Sequence, residues 1–308
     1  MAAYTRIGAE EAEAIVRAYS LVGVTAIEAV AGGTVNSNYY LSAGGAELFL
    51  RVYEEAGPSG AKFEALIANH LAARGIPTPV PLRTRDGGFF AQHQGKPVAL
   101  FPRVGGFEVC QALVTPARAR RVGRVVAEIQ AAAADFPDRR TGRFTLGDVV
   151  HRLDGIDRPD LAATVERLRR EVAALETTRA PILPLGPMHG DLFRDNVRWE
   201  GDEIVAVLDF ESASVGTYAY DLAVAILSWC YSDRFVPELV RAMIDGYESV
   251  RPLQPEERAA LATEARAACV RFATTRITDV ELRTPPGAPP VKDFRRFLDR
   301  LDALGELG

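Results

Sequence analysis

One loop and one strand end carry the side chains best suited to catalysis. The loop is His189-Gly190-Asp191-Leu192-Phe193-Arg194-Asp195-Asn196, and the strand end is Leu208-Asp209-Phe210. Phosphoryl transfer needs a carboxylate to orient the attacking hydroxyl and oxygen ligands to hold Mg²⁺ on nucleotide phosphates. Asp191 fits the first role, and Asn196 and Asp209 fit the second. The sequence therefore predicts transfer from Mg-ATP to a hydroxyl, with these three residues as the catalytic set and Asn196 and Asp209 at the metal.

The residues that follow the loop predict a local structure that suits this chemistry. A His-x-Asp triplet alone is common in solvated turns and helix caps. Here Val197-Arg198-Trp199 predicts a short strand, Gly201-Asp202 predicts a turn, and Ile204 to Leu208 predicts an apolar strand. The second strand delivers Asp209 at its end, which favours the functional interpretation over a chance triplet.

A glycine-containing segment between the first two predicted strands is a candidate phosphate-binding turn. Glycine permits tight turns and lets backbone N–H groups approach a phosphate closely. Two adjacent glycines could equally just close a hairpin. The amide and hydroxyl side chains that follow them strengthen the phosphate hypothesis. The nucleotide-binding candidates in this segment are Gly32, Gly33, Thr34, Asn36 and Asn38.

The third predicted strand, Leu48 to Tyr53, offers a cation for the phosphates. Its alternation places Arg51 on the face opposite Leu50. Arginine can hold phosphate oxygens through its planar guanidinium. Glu64, on the following helix, is its expected partner, although an exposed arginine and an unrelated glutamate would also be ordinary. Phe101, at the end of the last strand of this region, is a further nucleotide-binding candidate.

Periodicity divides the chain into a small strand-rich part and a larger helical part. Five strands (25–30, 38–42, 47–53, 89–92 and 96–101) and one long helix (58–74) are predicted near the N-terminus, after a short helix at 10–19. Later helices are predicted at 116–133, 159–176, 220–231, 237–250, 255–278 and 295–304. We expect an α+β, bilobal, protein-kinase-like fold. It would have a nucleotide-binding N-lobe at 1–100 with a small antiparallel sheet, a hinge at 101–106, and a mainly helical, catalytic and acceptor-binding C-lobe at 107–308.

Composition limits the possible partners and the compartment. The 308 residues carry a net charge of −5 without a basic run, which argues against nucleic acid or an anionic membrane as partner. The three cysteines are far apart in the sequence and odd in number, which suits a reducing compartment better than a disulfide framework. With no signal-peptide pattern at the N-terminus, we expect a cytoplasmic protein with a small-molecule hydroxyl substrate. The oligomeric state stays open.

With these residues in view, the chain resembles the homoserine kinases of the aminoglycoside-phosphotransferase-like superfamily. The resemblance rests on the 189–196 loop, Thr34 to Tyr39, Gly75 to Pro81, Ala134-Asp135-Phe136 and Ser228-Trp229-Cys230. It implies ATP- and Mg²⁺-dependent phosphorylation of L-homoserine, a step toward threonine. It also implies that Asp191 is the base, that Asn196 and Asp209 lie at the metal, and that Asp221 supports the loop.

Three departures from that resemblance keep other acceptors open. Residues 128–131 lack the expected histidine, Arg51 stands where kinases usually have lysine, and Glu211 follows Asp209-Phe210 as in choline and ethanolamine kinases. Glu211 is therefore a third metal candidate, and a choline, ethanolamine or other small-alcohol kinase is the alternative. A non-catalytic nucleotide-binding regulator is a second alternative, disfavoured because Asp191, Asn196 and Asp209 are all present.

The two acceptor classes predict different pockets. Homoserine carries a carboxylate and needs a cation, for which Arg271 and Arg276 are candidates. Choline needs an aromatic cage. The aromatic candidates are Tyr218, Tyr220, Trp229, Tyr231 and Tyr247. A protein kinase is disfavoured, because no Ala-Pro-Glu follows Asp209.

Overall fold

The chain forms two compact units in a computed structural model that describes residues 4–30, 35–142, 144–285 and 290–307. The first unit comprises Met1–Phe107 and Val205–Glu211. The second comprises Glu108–Ile204 and Ser212–Gly308. The segment that carries Asp209 and Glu211 thus belongs to the first unit, whereas the 189–196 loop belongs to the second.

A five-stranded antiparallel sheet forms the centre of the first unit. Its helices and strands are α1 (Ala9–Arg17), β1 (Val24–Ala29), β2 (Ser37–Ala43), β3 (Ala46–Val52), α2 (Gly57–Ala72), β4 (Ala91–His93) and β5 (Lys96–Pro102). The strand order is β1-β2-β3-β5-β4, and every neighbouring pair is antiparallel. The alternation of β3 buries Leu48 and Leu50 in a core with Ile15 and Val16 of α1. By the same alternation, Arg51 and Tyr53 lie on the opposite face of the sheet.

Helices dominate the second unit. Its helices are α3 (Pro116–Ala132), α4 (Leu146–Asp154), α5 (Ala162–Thr178), α6 (Tyr218–Trp229), α7 (Pro237–Glu248), α8 (Pro255–Asp279) and α9 (Arg295–Asp302). Its strands are β6 (Leu185–Met188), β7 (Val197–Glu200), β8 (Glu203–Val207, which continues into the first unit) and β9 (Ser214–Thr217). β6 pairs with β9, and β7 pairs with β8. α6 is buried from Ala219 to Trp229 and packs against α8.

Two glycines allow α3 and α7 to pack backbone to backbone. A Cβ added to Gly123 would lie 1.9 Å from the carbonyl oxygen of Met243, and one added to Gly246 would lie 2.0 Å from that of Arg120. Both distances are far inside van der Waals contact, so any larger residue would force the helices apart. This crossing fixes the position of α3, which carries Gln130 toward the loop described below.

The predicted α+β class, with an N-terminal antiparallel sheet and a helical remainder, is confirmed. Each predicted helix and strand is present, with bounds that differ by up to about three residues. Three elements were not predicted, namely α4, β6 and β9. Among the described residues, no helix combines the length and apolarity needed to cross a membrane. Cys110 is exposed, Cys230 and Cys269 are buried, and all three are free thiols.

Candidate active site

The 189–196 loop is held by a buried carboxylate from α6. Asp221 accepts hydrogen bonds from the backbone N–H groups of Gly190 at 2.8 Å and His189 at 3.3 Å. Asp221 is itself buried. Gly190 has φ +75°, in the left-handed region, which turns the chain toward Asp191. The sequence prediction that Asp221 lies under the loop agrees with this geometry.

Side chains of the loop and of α6 hold its central part. The Asn196 side-chain amide donates to the Asp191 carbonyl oxygen at 2.8 Å, and the Trp229 indole N–H donates to the Leu192 carbonyl oxygen at 2.9 Å. The Asp191 side chain retains 26% exposure. The backbone of the loop is therefore fixed, while the Asp191 carboxylate can still be reached by a small molecule.

Gln130, at one of the positions where the expected histidine is absent, connects Asp221 to a buried network. Its side-chain N–H donates to Asp221 at 3.3 Å, and its carbonyl oxygen accepts from the Tyr247 hydroxyl at 2.6 Å. Arg251 in turn donates to Tyr247 at 2.9 Å and pairs with the buried Glu257. A glutamine can donate and accept at once, so it satisfies both neighbours without a titrating group.

The remaining polar residues of the loop bind elsewhere in the second unit. Arg194 donates to the Gln111 side chain at 2.6 Å and to the Ser228 carbonyl oxygen. The Asp195 carboxylate forms a half-exposed ion pair with Lys292 at 3.1 Å. These contacts hold the C-terminal part of the loop, and Asp191 lies on the other side of it, near Arg271.

In the first unit, Arg51 lies between two carboxylates. Its guanidinium donates to Glu64 of α2 at 2.8 Å and to Asp209 at 3.2 Å, and its Nε donates to Asn38 at 3.3 Å. Tyr53 donates its hydroxyl to the second Glu64 oxygen at 2.6 Å. The predicted Arg51–Glu64 pair is therefore present, and it extends to Asp209 and Asn38.

Charge compensation keeps this buried arginine protonated. Burial alone would lower the pKa of Arg51, but the carboxylates of Asp209 and Glu64 outweigh burial and raise it well above its ordinary value. Burial also raises the pKa of Glu64, and the charge of Arg51 opposes that rise. The pair therefore presents one fixed cation beside Asp209.

Asp209 and Glu211 follow β8 in a strained turn. Asp209 has φ +66°, an uncommon conformation for a residue other than glycine. Glu211 is buried and accepts a 2.6 Å hydrogen bond from the side-chain amide of Asn36. The Asn36 oxygen accepts from the Glu54 backbone N–H at 3.3 Å. Asn36 thus links the start of β2 to the segment of the predicted metal ligands.

The remaining nucleotide-binding candidates differ in their environment. Phe101 lies on β5 opposite Phe49 and packs in a small core with Tyr53 and Ala61. Gly32, Gly33 and Thr34 lie outside the described residues. The donors suited to Mg²⁺ are hard oxygens, on Asp209 and Glu211 in the first unit and on Asn196 in the second. Within the described part of the chain, no group of three or more His, Cys, Asp or Glu side chains forms a metal site.

The residues predicted to bind the acceptor also lie in different environments. Arg271 of α8 is buried, donates to the Gly190 carbonyl oxygen at 3.0 Å and lies 3.8 Å from the Asp191 carboxylate. Arg276 instead donates to the Asp293 carbonyl oxygen at 2.8 Å. Trp229 and Tyr247 are fully buried and hydrogen-bonded within the core, which leaves neither ring free to line a cage for choline.

Three residues of this region were not predicted. Arg179 donates two hydrogen bonds of 2.7 Å to the fully buried Glu264 of α8, and Lys292 pairs with Asp195 as described above. The partners are 85 and 97 residues apart. No local pattern in one sequence connects such positions, because only the tertiary fold brings them together.

Comparison with known proteins identifies relatives along the whole chain. Residues 26–253 match the phosphotransferase enzyme family, APH. A homoserine kinase from Methylocella silvestris is 36% identical, with 99% of this chain and 98% of that protein covered. A homoserine kinase from Methylobacterium nodulans is 35% identical over 94% of this chain and 91% of that protein.

Among solved structures, the chain resembles a spectinomycin phosphotransferase in complex with ADP and spectinomycin. The TM-score is 0.71 at 15% identity, over 97% of this chain and 96% of that one. At this identity the similarity establishes the fold. The prediction of a kinase-like fold of the aminoglycoside-phosphotransferase type is confirmed.

Proposed function

This chain belongs to the phosphotransferase enzyme family, and from that premise we propose that it is a homoserine kinase. It would transfer the terminal phosphoryl group of ATP to the side-chain hydroxyl of L-homoserine. The observation that carries the proposal is the similarity over 99% of the chain to a protein of that name. That similarity includes the C-terminal half of the chain as well as the 189–196 loop.

Asp191 is the proposed catalytic base. Its carboxylate is partly exposed, while the backbone on either side is held by Asp221 and Asn196. In the proposed reaction, the acceptor oxygen bonds to the terminal phosphorus as the bond from that phosphorus to the bridging oxygen breaks. ADP leaves, and Asp191 receives the hydroxyl proton. Orientation by a fixed carboxylate lowers the barrier because little entropy is then lost in the transition state.

Arg51 is the proposed phosphate-binding cation. Its guanidinium stays charged beside Asp209 and Glu64, and the Glu64–Tyr53 hydrogen bond limits the movement of its main partner. A cation whose partners are already in place stabilises phosphate charge at little reorganisation cost. The proposed nucleotide site also includes Asn36, Asn38 and Phe101.

The proposed metal ligands are Asn196, Asp209 and Glu211. Their oxygen atoms fit Mg²⁺, which usually takes one or two carboxylates and completes its coordination with phosphates and water. When bound, Mg²⁺ neutralises charge on the phosphate oxygens. Within the chain, Arg51 of β3 donates to Asp209, and Asn36, immediately before β2, donates to Glu211, so each carboxylate has a hydrogen-bond donor in the first unit.

An assay of ADP release tests the proposal. Purified protein with Mg-ATP would be offered L-homoserine, choline and ethanolamine in parallel. We expect turnover on L-homoserine and little on the two cationic alcohols. Preference for choline or ethanolamine would contradict the proposal and favour the other branch of the same family.

Two aspartates of one loop provide the variant and its control. Asp191→Asn should lower turnover by about 1,000-fold, because it removes the proton acceptor, while nucleotide binding persists. Asp195→Asn loses only a half-exposed ion pair, which typically contributes under about 1 kcal/mol, so its turnover should stay near wild type. Equal activity of the two variants would remove Asp191 from its assigned role.

A further inference from the structure

The second unit contains a cavity that begins at the catalytic loop. It has a volume of about 370 Å³, within the range of small-molecule sites. Gly190 of the loop and Arg271 of α8 line it, together with Met188, Phe144 and Tyr220. Asp191 does not itself line the cavity, but its carboxylate lies 3.8 Å from the guanidinium of Arg271, so a molecule bound at Arg271 lies near the proposed base.

The charged groups of the cavity wall are both cationic. Among the described lining residues, Arg179 and Arg271 carry charge, and neither aspartate nor glutamate contributes. Arg179 is neutralised by Glu264 through two hydrogen bonds of 2.7 Å. Arg271 forms a long ion pair of 3.8 Å with Asp191, the proposed base, and this distance is beyond hydrogen-bond range.

Arg271 is also incompletely satisfied. Its side chain is 6% exposed, and one guanidinium nitrogen donates to the neutral Gly190 carbonyl oxygen. The Nε atom is buried without a hydrogen-bond partner among the described residues. Burial of a cation is unfavourable unless an anion or several acceptors compensate it. A ligand carboxylate next to Arg271 would supply that compensation.

We propose that Arg271 binds the carboxylate of the acceptor in this cavity and thereby selects hydroxy acids over hydroxy amines. This inference rests on the proposed function, since it treats the cavity as the acceptor site of that kinase. In homoserine a short carbon chain separates the carboxylate from the hydroxyl. The 3.8 Å between Arg271 and Asp191 suits an acceptor that reaches both groups at once. Choline and ethanolamine lack a carboxylate and would gain no such contact with Arg271.

A competing interpretation assigns Arg271 a structural role only, because it holds the Gly190 carbonyl oxygen. The two interpretations differ in how the effect of an Arg271 variant depends on the acceptor. A structural role affects every acceptor equally, since the loop is shared. Carboxylate binding affects only acceptors that carry a carboxylate.

The test is a cycle of two acceptors and two proteins. Wild type and Arg271→Gln would be assayed with L-homoserine and with 3-aminopropan-1-ol, which lacks the carboxylate and is otherwise the same chain. We expect kcat/KM on homoserine to fall by about 100-fold in the variant, and kcat/KM on the amino alcohol to change by less than about threefold. Equal losses on both acceptors would overturn the proposal.

A binding measurement extends the test to proteins with weak turnover. L-2-aminobutyrate keeps the carboxylate but lacks the hydroxyl, so it should raise the melting temperature of wild type and Arg271→Lys, but not of Arg271→Gln. Equal stabilisation of Arg271→Gln would also overturn the proposal. Arg276→Gln is the matched control, because this arginine of the same helix binds the Asp293 carbonyl oxygen and does not line the cavity.

The experiments distinguish failure of the proposed function from failure of the inference about Arg271. If wild type transfers phosphate to none of the hydroxy acids, the proposed function is wrong, and the inference about Arg271 falls with it. If wild type uses homoserine but Arg271→Gln affects both acceptors equally, the proposed function stands and the inference about Arg271 is wrong.

Discussion

The Asp221 carboxylate and the Gly190 backbone N–H form a 2.8 Å hydrogen bond that connects the 189–196 loop to α6. Asp221 also accepts from His189 and Gln130, so the carboxylate has three donors in a buried setting. Replacing this carboxylate costs free energy, because each buried donor would lose its hydrogen bond and could not form one with water instead.

We expect Asp221→Asn to lower kcat by about 100-fold and to leave the KM for ATP nearly unchanged, because a small displacement of Asp191, the proposed base, would lower the rate rather than the nucleotide affinity. Steady-state kinetics with varied ATP would measure both constants. Asp245→Asn, on the exposed surface of α7, is the control and should behave as wild type. A variant of Asp221 with normal kcat would show that the loop does not need this anchor.

Gly190→Ala should damage the same loop by another route. Alanine at φ +75° costs about 1–2 kcal/mol, and its Cβ would lie 3.1 Å from the Ser212 carbonyl oxygen. The loop can relieve the backbone strain and the close contact only by moving. We therefore expect turnover to fall at least about tenfold. Gly201→Ala provides the comparison, since Gly201 also has positive φ but open space around it. Similar kinetics for the two variants would count against a tight fit at Gly190.

The contact between Asn36 and Glu211 permits a charge test. Asn36→Asp places two buried carboxylates together, which should cost about 3 kcal/mol and lower the melting temperature by several degrees. Adding Glu211→Gln restores a donor–acceptor pair and should recover most of that loss. Thermal unfolding of wild type, both single variants and the double variant measures the coupling. Additive effects would mean that the contact contributes nothing.

Glu54 predicts a pH dependence of stability. It accepts hydrogen bonds from Ser37, Thr5 and Lys96. Burial raises the pKa of Glu54, but these bonds together outweigh burial and lower it below 4.5. Because the folded pKa is below the unfolded one, the stabilisation is present above about pH 4.5 and is lost as pH falls through the folded pKa.

Glu54→Gln should therefore destabilise the protein by about 1–3 kcal/mol at neutral pH, and the difference from wild type should shrink in acid. Melting temperatures of both proteins from pH 7 down to about pH 3, through the lowered pKa of Glu54, would measure this. A difference that stays constant with pH would contradict the assigned role of the carboxylate.

Much of the fold could be predicted because its signals are local. In β2, buried residues alternate with partly exposed ones from Ser37 to Ala43, and a hairpin turn joins Ala43 to Ala46 at the start of β3. The nine residues of α4 and the strands β6 and β9 were missed for physical reasons. β6 contains Gly186 and Pro187, and its partner β9 is distant in sequence, so neither has a strong signal of its own. The Thr145–Asp148 capping box was the available signal for α4.

The residues of the candidate site could be predicted to the extent that they lie in short motifs. The pairing of Arg51 with Glu64 followed from a strand and the next helix, and the loop 189–196 followed from spacing. The extension of that pair to Asp209, the contact of Asn36 with Glu211, and the Arg179–Glu264 pair all join distant segments. One sequence contains no record of such contacts, because tertiary packing alone decides them.

The burial of two of the three cysteines has a practical consequence. Burial raises the pKa of Cys230 and of Cys269 well above the ordinary range, so both thiols stay protonated and are shielded from reagents. Cys110 is exposed. A thiol-reactive fluorophore should therefore attach at Cys110 alone in the native protein, and binding of nucleotide or acceptor could be followed by fluorescence without introducing or removing a cysteine.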